Sequence, residues 1–258
     1  MKTKEVIEYI KNWLSSYHSQ SSTKGFVIGI SGGIDSALTS TLVAETNIPL
    51  LCIEMPINQN KNQVNRGKNH ILWLKENYKN VKSTECDLTE IFEQFKSLSI
   101  EKNKNQLLAL ANTRSRLRMT TLYYYAQLNN SLVVGTGNKV EDFGIGFYTK
   151  YGDGGVDLSP IADLMKSEVF ELAKVLKINK EILNAPPTDG LWDNNQTDED
   201  QIGATYEELE WAMKNKQTKN LTKRQQEVKE IYNKFHTANK HKMIQIPVCN
   251  IPINLKNK

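Results

Sequence analysis

At 258 residues the chain has the length of one α/β domain, and its 39% hydrophobic content is enough for a full core, which excludes a disordered protein. A net charge of +4 is too modest to point to nucleic acid, and no apolar run approaches the roughly 18 residues of a membrane span. The start, Met1-Lys-Thr-Lys-Glu-Val-Ile-Glu-Tyr-Ile, carries acids and lacks a signal peptide's apolar core, while Cys52, Cys86 and Cys249 form no C-x-x-C pair and read as reduced thiols of a cytoplasmic protein without a zinc site.

Residues 4–17 place Val6, Ile7, Ile10, Trp13 and Leu14 at helical spacing. Residues 26–30 are a short apolar strand, followed by a Gly-Gly turn and a helical run through Leu38, Leu42 and Val43. A second buried strand over 48–55 completes a βαβ unit, hence a parallel sheet with a right-handed crossover. A helix over 63–78, a strand over 81–86, a long helix over 105–128 and a strand over 131–135 continue the alternation. A further helix spans 168–176, and another covers 225–235 within a Lys-rich tail. The expected fold is an α/β, Rossmann-like three-layer sandwich, a parallel sheet flanked by helices, with residues 1–258 as a single domain.

Two segments break the rhythm. Residues 143–155 hold five glycines, and 185–196 hold Pro186-Pro187 and Asp189-Gly190. Such punctuation marks loops, and in an open parallel sheet the ligand sits beyond the carboxyl ends of the strands. Both segments are expected to close over bound substrates.

The string Gly29-Ile30-Ser31-Gly32-Gly33-Ile34-Asp35-Ser36 joins the first strand to its helix. Paired glycines let bare backbone N–H groups approach an anion, and the helix that follows adds its positive end. Ser31 and Ser36 can donate hydroxyl bonds to phosphate, yet no Gly-Lys-Ser/Thr follows, so this is no Walker A loop. The bland alternative is a Ser-capped strand-to-helix turn. Asp35 would repel a polyphosphate unless a cation such as Mg²⁺ lay between them; otherwise it is an ordinary acid in a helix's first turn.

The loop resembles the S-G-G-x-D-S signature of the PP-loop ATP pyrophosphatases, which cleave ATP between its α- and β-phosphates. Within that superfamily the downstream motifs resemble the NAD synthetase pattern. They are Asn112-Thr-Arg-Ser-Arg-Leu-Arg-Met119, Val134-Gly-Thr-Gly-Asn-Lys-Val-Glu141, Gly146-Phe-Tyr-Thr-Lys-Tyr-Gly-Asp-Gly-Gly-Val-Asp157, Leu164-Met-Lys166, Pro187-Thr-Asp189, Asp198-Glu-Asp200 and His241-Lys242. One residue more than the family's spacing lies between Glu141 and Gly146-Phe147, which leaves Glu141 or Asp142 open as a metal ligand.

The resemblance implies ATP-dependent amidation of nicotinic acid adenine dinucleotide (deamido-NAD) by ammonia, through an adenylate, with AMP and pyrophosphate released. It implies that Gly29, Ile30, Ser31, Gly32, Gly33, Ile34, Asp35, Ser36, Thr136, Lys166 and Thr188 bind ATP. Asp35 and Glu141 would hold Mg²⁺. Arg116, Lys150, Asp157, His241 and Lys242 would bind deamido-NAD, and Asp35, Asp153 and Lys166 would serve the chemistry, Asp153 by meeting ammonia or ammonium. A homodimer paired through the long central helix is also implied. Of the three arginines in the Asn112 motif only Arg116 shares a helix face with Asn112, so Arg114 and Arg118 read as solvated charges. Tyr123, Tyr124 and Tyr125 read as core or interface packing.

A PP-loop enzyme that modifies tRNA would call for an RNA-binding domain or a strong basic patch, and neither is visible. A nucleotide-binding module without catalysis would lack the metal carboxylates. Only one short helix precedes the loop, and the cysteines form no Glu-Lys-Cys constellation, so ammonia rather than glutamine is the expected nitrogen source.

Overall fold

The computed structural model describes residues 1–98, 105–188, 197–216 and 219–256. Helix α1 (Thr3–Gln20) leads into β1 (Gly25–Gly29), α2 (Ile34–Ala44), β2 (Leu50–Glu54), α3 (Lys61–Asn77) and β3 (Val81–Glu85). Then come α4 (Thr89–Ser97), the long α5 (Gln106–Asn129) and β4 (Ser131–Val133). A π-helix (Val140–Ile145) precedes α6 (Lys166–Val175), α7 (Lys180–Leu183), α8 (Asp198–Ile202), α9 (Tyr206–Lys214) and α10 (Lys223–Met243).

All pairings in the sheet are parallel, in the order β3-β2-β1-β4. Period-two alternation sends Phe26 and Ile28 of β1, and Leu50 and Cys52 of β2, to one face against α1, α2 and α6. Val27 and Ile53 point to the other face, against Phe92 of α4 and Met119, Leu122 and Ala126 of α5. Both faces are therefore dry, as a wholly parallel sheet requires, and the three-layer α/β expectation holds. A third apolar cluster joins Val140 and Ile145 of the π-helix to Ile202, Leu209 and Val228 of α8, α9 and α10.

The strand order determines where a ligand can enter. From β1 the chain winds outward through β2 to β3, then returns to place β4 on the other side of β1. The loops after β1 and β4 thus diverge and leave a crevice between them, the switch point of an open α/β sheet.

Several elements differ in extent from their sequence pattern. Helix α10 runs to Met243, eight residues past 235, and so carries His241 and Lys242 on its last turn. The first three residues of the glycine-rich segment 143–155 belong to the π-helix. Of segment 185–196, residues 189–196 lie outside the described residues.

Candidate active site

The loop after β1 lines one wall of the crevice. Gly32 has φ +79°, and a Cβ there would stand 2.4 Å from the Gln63 carbonyl oxygen and 3.1 Å from the Gly67 nitrogen, so α3 presses on the loop and only glycine fits. Ser31 and Ser36 meet hydroxyl to hydroxyl at 3.0 Å, the Gly33 N–H donates to Ser31 Oγ (3.2 Å), and Ser36 Oγ donates to the Gly33 carbonyl (3.0 Å). This closed ring of small polar groups sits at the N-terminus of α2, where backbone donors and the helix dipole favour an anion. Val134, Gly135, Thr136 and Gly137 line the opposing wall, and Thr188 borders the same cleft.

Lys166 reaches the middle of this cleft. A cation in the first turn of a helix opposes the dipole, so its placement needs other support. The start of α6 is pinned: Met165 N–H donates to Glu168 Oε2 (2.8 Å), and Ser167 gives its N–H and hydroxyl to the two oxygens of Glu210 (2.8 and 2.7 Å). The ammonium, only 3% exposed, donates to Asp35 Oδ2 (2.6 Å) and Glu141 Oε1 (2.9 Å). Burial alone would lower its pKa, but the charges of Asp35 and Glu141 outweigh burial and hold it above the ordinary lysine value. Lys166 is therefore charged.

The two carboxylates differ. Asp35, whose Oδ1 also accepts from Asn138 Nδ2 (3.2 Å), is raised by burial and by the charge of Glu141, with Lys166 opposing. Glu141 is penalised by burial too, yet Lys166 and the Tyr206 hydroxyl draw it below the ordinary glutamate value. Tyr206 OH donates to Glu141 Oε1 at 2.5 Å.

Asp142 lines the same cleft. Its carboxyl lies against Gly137, where a Cβ would come within 2.4 Å of it, and it does not share Lys166. Burial, then the charges of Glu141, Asp153 and Asp35, push it up to about 8. Glu141 and Asp142 lie in the first turn of the π-helix, whose i→i+5 bonds span one residue more than those of an α-helix. Of these two acids, Glu141 is the one that reaches the ammonium.

Asp153 is clamped. Its Oδ1 accepts from Ser115 Oγ (2.6 Å) and the Thr149 N–H (3.1 Å), and its own N–H donates back to Ser115 Oγ (2.9 Å). Burial raises its pKa against these bonds. Thr149 Oγ1 in turn donates to Asn112 Oδ1 (2.7 Å), so one face of α5 holds the glycine-rich turn.

None of the five residues expected to bind deamido-NAD lines the cleft itself; Arg116, Lys150, His241 and Lys242 are joined to one another or to the glycine-rich turn, and Asp157 stands apart from them. Arg116 Nε donates to the Lys150 carbonyl (3.2 Å), Lys150 Nζ to the His241 carbonyl (3.0 Å), and Lys242 Nζ to the carbonyls of Gly146 (2.9 Å) and Tyr148 (2.8 Å). Asp157 accepts from the Val133 N–H (2.7 Å) and from Tyr123 OH (3.0 Å). The reading of Arg114 and Arg118 as solvated charges is corrected. Arg114 is 7% exposed and stacks 4.4 Å over the Phe92 ring, because α4 covers that side of α5. Arg118 lines the cleft, donating to the Met55 carbonyl (3.0 Å) and Gln59 Oε1 (2.8 Å).

Sequence reasoning gave no role to Ser115, Asn138 and Asp198, although all three lie within the quoted motifs, and missed Tyr206 altogether. Ser115 carried a usable signal, since it follows Asn112 by one helical turn. Among the described residues no cluster of three or more His, Cys, Asp or Glu is arranged to hold a metal, and no helix is long and apolar enough to cross a membrane.

The family model described as NAD synthase matches residues 6–246. An NH(3)-dependent NAD(+) synthetase of Mesoplasma florum is 38% identical over 81% of this chain and 84% of its own. The synthetase of the same description from Syntrophomonas wolfei is 37% identical over the whole of both chains. A solved structure of an NMN synthetase from Francisella tularensis superposes with a TM-score of 0.87 at 34% identity, covering 97% of this chain and all of the other.

Proposed function

The chain belongs to the NAD synthase family, and we propose that the crevice between β1 and β4 is where it carries out that family's reaction. It is a ligase that forms a C–N bond, amidating deamido-NAD with ammonia at the expense of ATP. The observation that carries the site assignment is the S-G-G-x-D-S loop at the switch point, facing a buried, charged Lys166 across the same cleft.

A carboxylate repels nucleophiles, and oxide is a poor leaving group; transfer of AMP to it supplies a good one. The chain's part is then positioning and charge neutralisation. The Ile30 N–H is held by the Ile53 carbonyl, so the N–H groups of the turn and first helical residues, up to Ser36, take the leaving pyrophosphate, with Thr136 and Thr188 bordering the nucleotide and Lys166 neutralising phosphate charge. Asp35 and Glu141, hard oxygen donors that already share one cation in the Lys166 ammonium, fit Mg²⁺, which commonly takes one or two carboxylates and completes its shell with phosphate and water. When bound, Mg²⁺ would supply Lewis-acid stabilisation of phosphate oxygens. Glu141 is the better second ligand, because it shares the Lys166 ammonium with Asp35 and Asp142 does not. Asp153, held by Ser115, is placed to attract ammonium and accept its proton, and its raised pKa suits that task.

Arg116, Lys150, Asp157, His241 and Lys242 form the dinucleotide side of the site in this reading. A homodimer belongs to the same proposal: Leu107, Leu108, Tyr124 and Leu128 leave apolar surface exposed on α5. So does a cytoplasmic location, supported by the free thiols of Cys52, Cys86 and Cys249.

The likeness to an NMN synthetase favours one specific second reading, nicotinate mononucleotide as acceptor. Comparison of kcat/KM for the two acceptors tests it. The main reading expects deamido-NAD to win, with Arg116→Ala raising KM for the dinucleotide roughly tenfold or more and leaving the mononucleotide almost unaffected. Preference for the mononucleotide would transfer the assignment.

A further inference from the structure

Tyr206 lies outside the motifs that pointed to the site, yet it is built into the charged centre. It opens α9 and is 5% exposed. Its hydroxyl donates to Glu141 Oε1 (2.5 Å) and stands 3.1 Å from Oδ2 of Asp198, itself buried. The face of its ring lies 4.6 Å from the Lys166 ammonium, within cation–π range. Its backbone N–H is tied to Glu199 Oε1 (2.9 Å), and a Thr205–Glu208 capping box secures the helix behind it.

Besides the shared ammonium, Asp35 accepts from Asn138 at 3.2 Å, and Glu141 accepts a short bond from the Tyr206 hydroxyl, with the Asn138 side chain also lowering its pKa. Any turn of Lys166 toward substrate phosphates would remove the ammonium from both. The Tyr206 hydroxyl would then be the closest contact that keeps the flexible glutamate side chain aimed. We infer that Tyr206 is a positioning residue for Glu141, setting that carboxylate for the divalent cation while its ring supports Lys166. The inference rests on the reading of Asp35 and Glu141 as the cation's ligands.

Calorimetric titration of ATP, in the absence of acceptor and ammonium so that no turnover occurs, tests both statements separately. Each protein is titrated once in chelator and once with Mn²⁺, and the ratio of the two Kd values gives the metal-dependent gain. Tyr206→Phe keeps the ring and removes the hydroxyl. It is expected to cut this gain roughly tenfold, as loss of a hydrogen bond to a charged group does, with Kd in chelator and binding stoichiometry unchanged. Stoichiometry separates weaker binding from fewer folded molecules. Raising Mg²⁺ should recover the rate of pyrophosphate release in Tyr206→Phe but not in Glu141→Gln. An unchanged gain in Tyr206→Phe, with the gain lost in Asp35→Asn and Glu141→Gln, would overturn the role of Tyr206 alone. An unchanged gain in all three would overturn the ligand assignment with it.

Discussion

Lys166, Asp35 and Glu141 form a buried triad whose charges do not cancel: two acids share one base inside a cleft built for polyanions. A divalent cation, as proposed, would resolve that conflict, and the resulting prediction is specific to residue. Asp35→Asn and Glu141→Gln should each lower adenylation by about a hundredfold or more, the scale of losing a preorganised charge contact in a transition state. Asp142→Asn should lose less than about tenfold, since its carboxyl does not share the Lys166 ammonium. Steady-state pyrophosphate release by the three variants checks this, and full activity in Glu141→Gln with loss in Asp142→Asn would move the ligand by one position. The S-G-G-x-D-S loop was legible because its chemistry is contiguous in the chain. Tyr206 was not, because its role depends on a partner 65 residues away, and Arg118 was misread because helical spacing cannot show which face of α5 borders the cleft.

Among the elements, α2 and α3 make the clearest case of chemistry hidden from pattern. His70 on α3 is 1% exposed, its Nε2 lies 2.9 Å from Ser40 Oγ on α2, and burial lowers its pKa to about 4. The unfolded chain binds this proton near pH 6.5 and the folded chain does not, so stability rises with pH across that interval. The contribution is present above about pH 6.5 and is lost as pH falls through about 4. His70→Met should flatten this limb of the thermal midpoint against pH, since Ser40 Oγ keeps its bonds to the Ser36 and Ala37 carbonyls. An unchanged slope would contradict it. The strands and the long helices were readable from periodicity, since both sheet faces are buried. Helix α4 was not assigned: only Phe92 is buried, while Ile91 and Phe95 face outward and blur the pattern. The Thr205–Glu208 and Thr222–Gln225 capping boxes are sequence signals that would have placed the starts of α9 and α10. The π-helix was not assigned either, since nothing in the apolar spacing of residues 140–145 separates i→i+5 from i→i+4 closure.

At the scale of the whole molecule, the winding order β3-β2-β1-β4 makes one crevice, and the loop after β1, Lys166 and its two carboxylates meet there. The exposed apolar residues of α5 predict association: sedimentation at micromolar concentration should give a dimer, and Leu128→Glu, with Leu128 now 64% exposed, should shift it toward monomer. A wild-type monomer would refute the dimer. The central claim is that this cleft activates a carboxylate by cleaving ATP at its α-phosphate and passes it to ammonia. Product analysis after incubation with ATP, Mg²⁺, ammonium and deamido-NAD tests it most directly. AMP, pyrophosphate and NAD should appear in equal amounts, and only with the acceptor present, while ammonia-free glutamine should not replace ammonium; ADP and phosphate as products, or pyrophosphate released at the same rate without any acceptor, would contradict the account.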